Sequence, residues 1–155
     1  MTFIELYPAG QRLELGTIHF SAESIIRYAE KFDPQPFHLS EEGARNSVFE
    51  GLCASGWQTS ASWMKCFLNY WTKEVKRLTS EGIEPPKLGP SPGLSELRWL
   101  HPVYAGDDVT YFTTLLNARP LASRPGLLMN TTLNEGVNQR GELVVTFESK
   151  VLEFQ

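Results

Sequence analysis

Gly56-Trp57-Gln58-Thr59-Ser60-Ala61-Ser62-Trp63-Met64-Lys65-Cys66-Phe67-Leu68-Asn69-Tyr70-Trp71-Thr72-Lys73-Glu74-Val75-Lys76-Arg77-Leu78 decides the fold. Trp57, Ala61, Met64, Leu68, Trp71, Val75 and Leu78 recur at alternating steps of four and three. That spacing is one unbroken helical stripe of about six turns. Gly82 follows as a C-terminal cap. A second face carries Cys66, Phe67 and Tyr70. A helix apolar on two sides cannot rest on solvent, so it needs a sheet or a partner wrapped around it. Core packing is the expectation for the aromatics of the stripe.

Downstream, the period changes from 3.6 to 2. Glu81 to Pro92 is a Gly/Pro loop, and from Gly93 the run through Leu97 and Trp99 reads as a strand. Pro102 and Ala105-Gly106-Asp107 mark a turn. Val109 to Leu116 is rich in β-branched and aromatic residues and reads as a second strand. Asn117 to Gly126 is a connector, Leu127 to Leu133 a strand, Asn134 to Gly141 a turn-rich link, and Leu143 to Phe154 the last strand. Upstream, residues 3–7 and 13–20 are short stretches suited to strands, divided by Pro8-Ala9-Gly10. Ser21 caps a short helix whose face is Ile25, Ile26, Ala29 and Phe32. Ser40 caps a second, brief helix ending near Asn46. The order is strand, helical excursion, one long buried helix, then antiparallel strands. This is an α+β domain spanning 1–155, with one sheet curled round one helix. The outer face or edge of such a sheet is a natural dimerisation surface.

Composition narrows the function. The chain has 155 residues, 41% hydrophobic and 21% charged, with a formal net charge of −4. That is a globular composition large enough to bury a core without staples. No Lys/Arg cluster stands out, which argues against nucleic acid. No apolar run approaches the length of a membrane span, and Met1 to Gly10 lacks the pattern of a secretory signal. Cys53 and Cys66 have neither Cys-x-x-Cys spacing nor a disulfide framework, and no metal site is expected. A reducing cytoplasm is the default expectation.

The helical excursion ends in Phe32-Asp33-Pro34-Gln35-Pro36-Phe37-His38. Prolines fix φ and bias the residue before them to extended backbone. The segment is expected to be a stiff loop that turns Asp33 and His38, five residues apart, toward a common point. The same residues also suit a plain connector, with Asp33 capping a turn and His38 at the surface.

Together these residues resemble the MaoC-like dehydratases, the hot-dog-fold group that includes (R)-specific enoyl-CoA hydratases. The family has a Tyr or Phe shortly before an Asp, then Asn-Pro-x-His; here stand Tyr28, Asp33, Gln35, Pro36 and His38. Ala44 and Phe49 follow, then the Gly-rich helix entry Gly51-Leu52-Cys53-Ala54-Ser55-Gly56-Trp57. Ser91 to Trp99 and Pro102-Val103…Gly106-Asp107 are similar to the family's next strand and turn. Two positions differ. The motif's Asn is Gln35, and where family hydratases can carry a Ser on the central helix this chain has Met64. Ser60 or Thr59, one turn earlier, is the expected substitute.

The resemblance implies a hot-dog fold and the addition of water to a trans-2-enoyl-CoA thioester, giving an (R)-3-hydroxyacyl-CoA, or the reverse. It also implies homodimers, or dimers of dimers, joined sheet to sheet. Coenzyme A would enter only as part of the substrate, with no separate cofactor. Asp33 and His38 would hold one water and shuttle its protons. Gly56, at a helix start where backbone N–H groups are unpaired and glycine permits close approach, would face the thioester oxygen. Close packing alone also accounts for a glycine there. Gln35, Ser55 and Trp57 are the expected substrate contacts. Lys65, Lys73, Lys76 and Arg77 suit coenzyme A phosphates or, equally, a solvated helix face. His19 and His101 are expected to be structural or exposed, and the cysteines to pack as small apolar groups. Two other functions fit the same residues: an acyl-CoA thioesterase, and a non-catalytic acyl-binding or dimerisation module.

Overall fold

The computed structural model describes residues 1–155. In chain order the elements are α1 (Phe3–Leu6), β1 (Arg12–His19), α2 (Ala22–Phe32), α3 (Pro36–Leu39), α4 (Glu41–Arg45), α5 (Gly56–Ser80), β2 (Lys87–Leu88), β3 (Gly93–Trp99), β4 (Asp108–Pro120), β5 (Leu127–Asn138) and β6 (Leu143–Phe154). The six strands form one antiparallel sheet in the order β1-β4-β5-β6-β2, with β3 also paired to β6. The sheet curls about α5, as the change of period after Gly93 predicts.

The core lies between α5 and the sheet. Trp63, Cys66, Tyr111, Val109, Val144, Val145 and Phe147 are buried there with Phe20 and Ile25. Two hydrogen bonds tie the helix to β4: the Trp63 indole Nε1 donates to the Phe112 carbonyl at 3.0 Å, and the Tyr111 hydroxyl donates to the Thr59 carbonyl at 2.7 Å. A smaller cluster of Phe3, Tyr7, Leu13 and Leu115 closes the far end.

Residues 3–7 do not form a strand. Phe3–Leu6 is one helical turn, and Thr2-x-x-Glu5 supplies the reason. The Glu5 carboxylate accepts from the Thr2 backbone N–H at 2.7 Å and from its hydroxyl at 2.8 Å, in the manner of a capping box. β5 runs past the expected end at Leu133 to Asn138, because Asn134 and Gly136 face inward rather than turning the chain. β4 likewise continues to Pro120 through an irregularity at Leu115/Asn117. The Gly/Pro loop contains the two-residue strand β2.

The main correction concerns the stripe on α5. Trp57, Met64 and Leu68 are 56%, 46% and 54% exposed. The face packed on the sheet is the other one, carrying Thr59, Trp63 and Cys66. Periodicity shows that a helix has an apolar side. It does not show whether protein or an open cavity lies against that side, and here it is a cavity.

Candidate active site

Asp33 is the C-cap of α2, and its backbone N–H bonds the Ala29 carbonyl. Pro36 then occupies the first turn of α3, where a missing N–H costs nothing. His38 therefore sits on a one-turn helix rather than in a continuous loop. The segment Leu52–Ala54 is strapped on both sides. Cys53 N–H donates to the Phe37 carbonyl, Ala54 N–H to Val103, and Ala105 N–H to Leu52. This strap brings the start of α5 to the acid-base segment.

The side chains meet. His38 Nε2 lies 3.4 Å from Asp33 Oδ2. His38 is 6% exposed, and its Nδ1 bonds the Cys53 carbonyl oxygen at 2.7 Å. A carbonyl only accepts, so Nδ1 carries the proton, and in the neutral ring Nε2 is bare toward Asp33. The Gln35 amide donates to Asp33 Oδ1 at 2.6 Å. Burial pushes the Asp33 carboxyl upward, but hydrogen bonds from Ser55 and Gln35, with the nearby His38, outweigh it and hold the group below its ordinary range.

The other predicted residues fall around this pair. Ser55 is fully buried and caps α5 by accepting from the Trp57 N–H at 3.3 Å. Its hydroxyl, rather than that of Ser60 or Thr59, is the one whose proximity lowers the Asp33 carboxyl. Ser60 accepts from the Trp99 indole at 3.0 Å, and the Thr59 hydroxyl donates to the Ser55 carbonyl. The signal for Ser55 was in the sequence, as a Ser immediately before a helix start. Gly56 is the first residue of α5, so its N–H has no partner within the helix. Trp99 covers it: a Cβ at Gly56 would meet the indole carbons at 2.4 Å. Gln35 is spent on Asp33. Trp57 packs edge-on against Trp99, with ring centroids 5.0 Å apart.

A cavity of about 750 Å³ runs along α5 between its apolar stripe and the sheet, and reaches toward this end at Tyr28, Phe32 and Trp57; Asp33, His38, Ser55 and Gly56 are not part of its wall. Tyr28, Phe32, Trp57, Met64, Leu68 and Trp71 are among the residues lining it. Elsewhere, Arg77 is held by Glu74 and Glu81, which removes it from any simple role with phosphates. His19 pairs with Asp108 at the surface, and His101 stands 3.8 Å from Glu142. Both cysteines are free and buried, and burial raises the Cys53 thiol to about 11. No helix is long and apolar enough to cross a membrane.

Comparison with known proteins places this geometry. The model of the MaoC like domain matches residues 7–125. The chain is 35% identical to the MaoC-like dehydratase from Rhodospirillum rubrum, covering 100% of this chain and 98% of that one with a TM-score of 0.80. The uncharacterized protein YdeM of Bacillus subtilis (strain 168) is 28% identical over 149 residues, 96% of each chain. The (R)-hydratase from A. caviae shares the fold at 22% identity, with a TM-score of 0.62 over 92% of this chain and 94% of that one. The fold is the hot-dog fold, a curled antiparallel sheet with one long central helix.

Proposed function

The chain belongs to the MaoC-like domain family, and on that premise we propose that it is a hydratase/dehydratase. It adds water to a trans-2-enoyl-CoA thioester to give an (R)-3-hydroxyacyl-CoA, or runs the reverse elimination. The observation that carries the reading is the 3.4 Å approach of His38 Nε2 to Asp33 Oδ2 beside the start of α5.

With the ring neutral, Nε2 and the ionised carboxylate both accept, and a water between them donates one hydrogen bond to each. As its oxygen attacks C3, one of its protons passes fully to the pair. The electrons of the C2–C3 double bond move toward the thioester, whose oxygen gains charge. The free Gly56 N–H, with the positive end of the α5 dipole behind it, stabilises that charge. The proton held by the pair then goes to C2, which closes the balance: one C–O bond and one C–H bond form and the double bond is lost. General acid-base help of this kind is worth about 10²- to 10⁴-fold, and one oxyanion donor about 10²- to 10³-fold.

The acyl chain lies in the cavity along α5, with Trp57 in its wall at the end nearer the Asp33–His38 pair. The functional unit is a homodimer. β3 is bonded on one side only, to β6, and Leu94, Trp99 and Leu100 are exposed on and beside it. A free apolar edge of this kind invites pairing with a second copy. Size-exclusion chromatography with light scattering tests this, and a stable monomer would count against it.

The test of activity is purified protein with crotonyl-CoA and longer 2-enoyl-CoAs. Loss of the enoyl thioester absorbance without thiol release supports hydration. Loss of the band with stoichiometric release of free thiol would replace it with thioester hydrolysis.

A further inference from the structure

The floor of the cavity is polar where its roof is not. Thr113, Asn130, Thr132 and Ser149, all on the sheet, line it opposite the apolar face of α5. On β5, Asn130, Thr132 and Asn134 fall at every second position and share one face, and all three are buried. A strand face turned toward a helix is ordinarily apolar, because a buried polar group without a partner is costly.

Counting protons shows what is left over. The Thr113 hydroxyl donates to Asn134 Oδ1 at 2.8 Å. Asn134 Nδ2 gives its two hydrogens to Thr132 Oγ1 at 3.2 Å and Ser149 Oγ at 3.0 Å. Thr132 and Ser149 also bond each other at 2.8 Å. That bond uses one hydroxyl proton, and each hydroxyl has one. One proton of the pair therefore has no acceptor in the protein. Asn130 Nδ2 donates to Glu153 Oε2 at 2.7 Å, which fixes the amide orientation. Asn130 Oδ1 then has no partner, although the residue is only 2% exposed. The floor offers one spare donor and one spare acceptor, two residues apart on a strand, about 7 Å between Cα atoms.

Asn130 lies toward the end remote from Asp33. Glu153 Oε1 accepts from the Phe3 N–H at 2.9 Å, and Phe3 packs on Trp71 with centroids 5.6 Å apart. Trp71 is about 21 Å along α5 from Trp57, at 1.5 Å per residue.

We propose, resting on the acyl-thioester reading above, that the natural acyl chain is oxygenated: it carries a hydroxyl group that lies against Asn130, Thr132 and Ser149. The hydroxyl donates to Asn130 Oδ1 and accepts the spare proton of the Thr132–Ser149 pair. A plain hydrocarbon chain leaves both unpaired, and a site with an unpaired buried polar group rejects such a ligand.

The test uses binding, so it needs no turnover. Trp57, Trp63 and Trp71 line the cavity, and quenching of their fluorescence reports occupancy by straight-chain fatty acids and their ω-hydroxy counterparts of equal length. At the best-fitting length the hydroxy acid is expected to bind about 10-fold tighter or more. Asn130→Leu and, separately, Ser149→Ala should each bring that ratio toward one; Ser149→Ala leaves Glu153 its donor should Asn130→Leu fail to fold. A wild-type ratio near one at every length, meaning that water alone fills the spare sites, overturns the proposal. So does a ratio that neither variant changes. A protein that hydrates enoyl-CoAs but shows no preference keeps its reaction and loses this proposal. One with the preference but no hydration keeps the site and loses the reaction.

Discussion

The imidazole of His38 gives its Nδ1 proton to the backbone carbonyl of Cys53, 2.7 Å away, and this bond sets what the ring can do. With that proton committed, the bare Nε2 is the nitrogen facing Asp33. The ring accepts a proton there without changing its anchor. Asp33→Asn and His38→Ala should each lower kcat by about 10²- to 10⁴-fold while leaving the circular dichroism spectrum unchanged. Undiminished turnover in either variant would remove the pair from the mechanism.

Asp33 also carries a stability signature. Its carboxyl is held below the ordinary range, because Ser55, Gln35 and His38 overcome the upward push of burial. A group whose folded pKa is depressed contributes stability that is present above the unfolded value, about 3.9, and lost as pH falls through the folded value. The stability gap between the wild type and Asp33→Asn should therefore be largest near neutrality and shrink below about pH 4. Urea titrations at a series of pH values measure it. A gap of constant size down to pH 2 to 3 would contradict the assignment.

The two faces of α5 separate structure from ligand in a way that mutation can read. Trp63 is buried against Phe147 and bonded to Phe112, so Trp63→Ala should cost about 3–5 kcal/mol of unfolding free energy. Met64 and Leu68 are half exposed along the cavity, so Met64→Ala and Leu68→Ala should cost within about 1 kcal/mol. The latter pair should instead change KM for long acyl chains. Equal destabilisation at all three positions would restore the stripe to the core.

That distinction marks where the sequence was legible. The long helix, its Gly82 stop, Ser21 and Ser40 as caps, and the strands after Gly93 all rest on local periodicity and capping chemistry, which a single sequence displays. The pairing of Asp33 with His38 was half legible. Spacing and prolines suggested it, but the strap of residues 52–54 that closes it is made of backbone bonds to 37 and 103, which no local pattern encodes. The apolar stripe was visible and Leu78 is core as expected, but at Trp57, Met64 and Leu68 its role was inverted because a wall facing a ligand and a wall facing a sheet have the same period. Asn130 and Thr132 were legible as strand, but Asn134 and Gly136 resembled the start of a turn, since Asn and Gly favour turns when nothing else holds them. Here hydrogen bonds across three strands hold them in β5.

Gly56 is the position where two explanations can be pulled apart. Its N–H is free at the start of α5, and its missing side chain makes room for Trp99. Gly56→Ala alone tests only the second, since the methyl group would drive into the indole. Removing the ring first separates them. In a Trp99→Ala background, Gly56→Ala keeps the N–H and is relieved of the indole clash, so activity should stay near that of Trp99→Ala alone. Gly56→Pro in the same background deletes the N–H. Proline is well tolerated at the first position of a helix, and Ser55 already has the extended backbone, φ −56° and ψ 138°, that suits the residue before it. The fold should survive while kcat falls by about 10²- to 10³-fold. Thermal melts of both double variants check the fold, and steady-state hydration of a 2-enoyl-CoA checks the rate. Equal activity in the alanine and proline variants would leave Gly56 with a packing role alone.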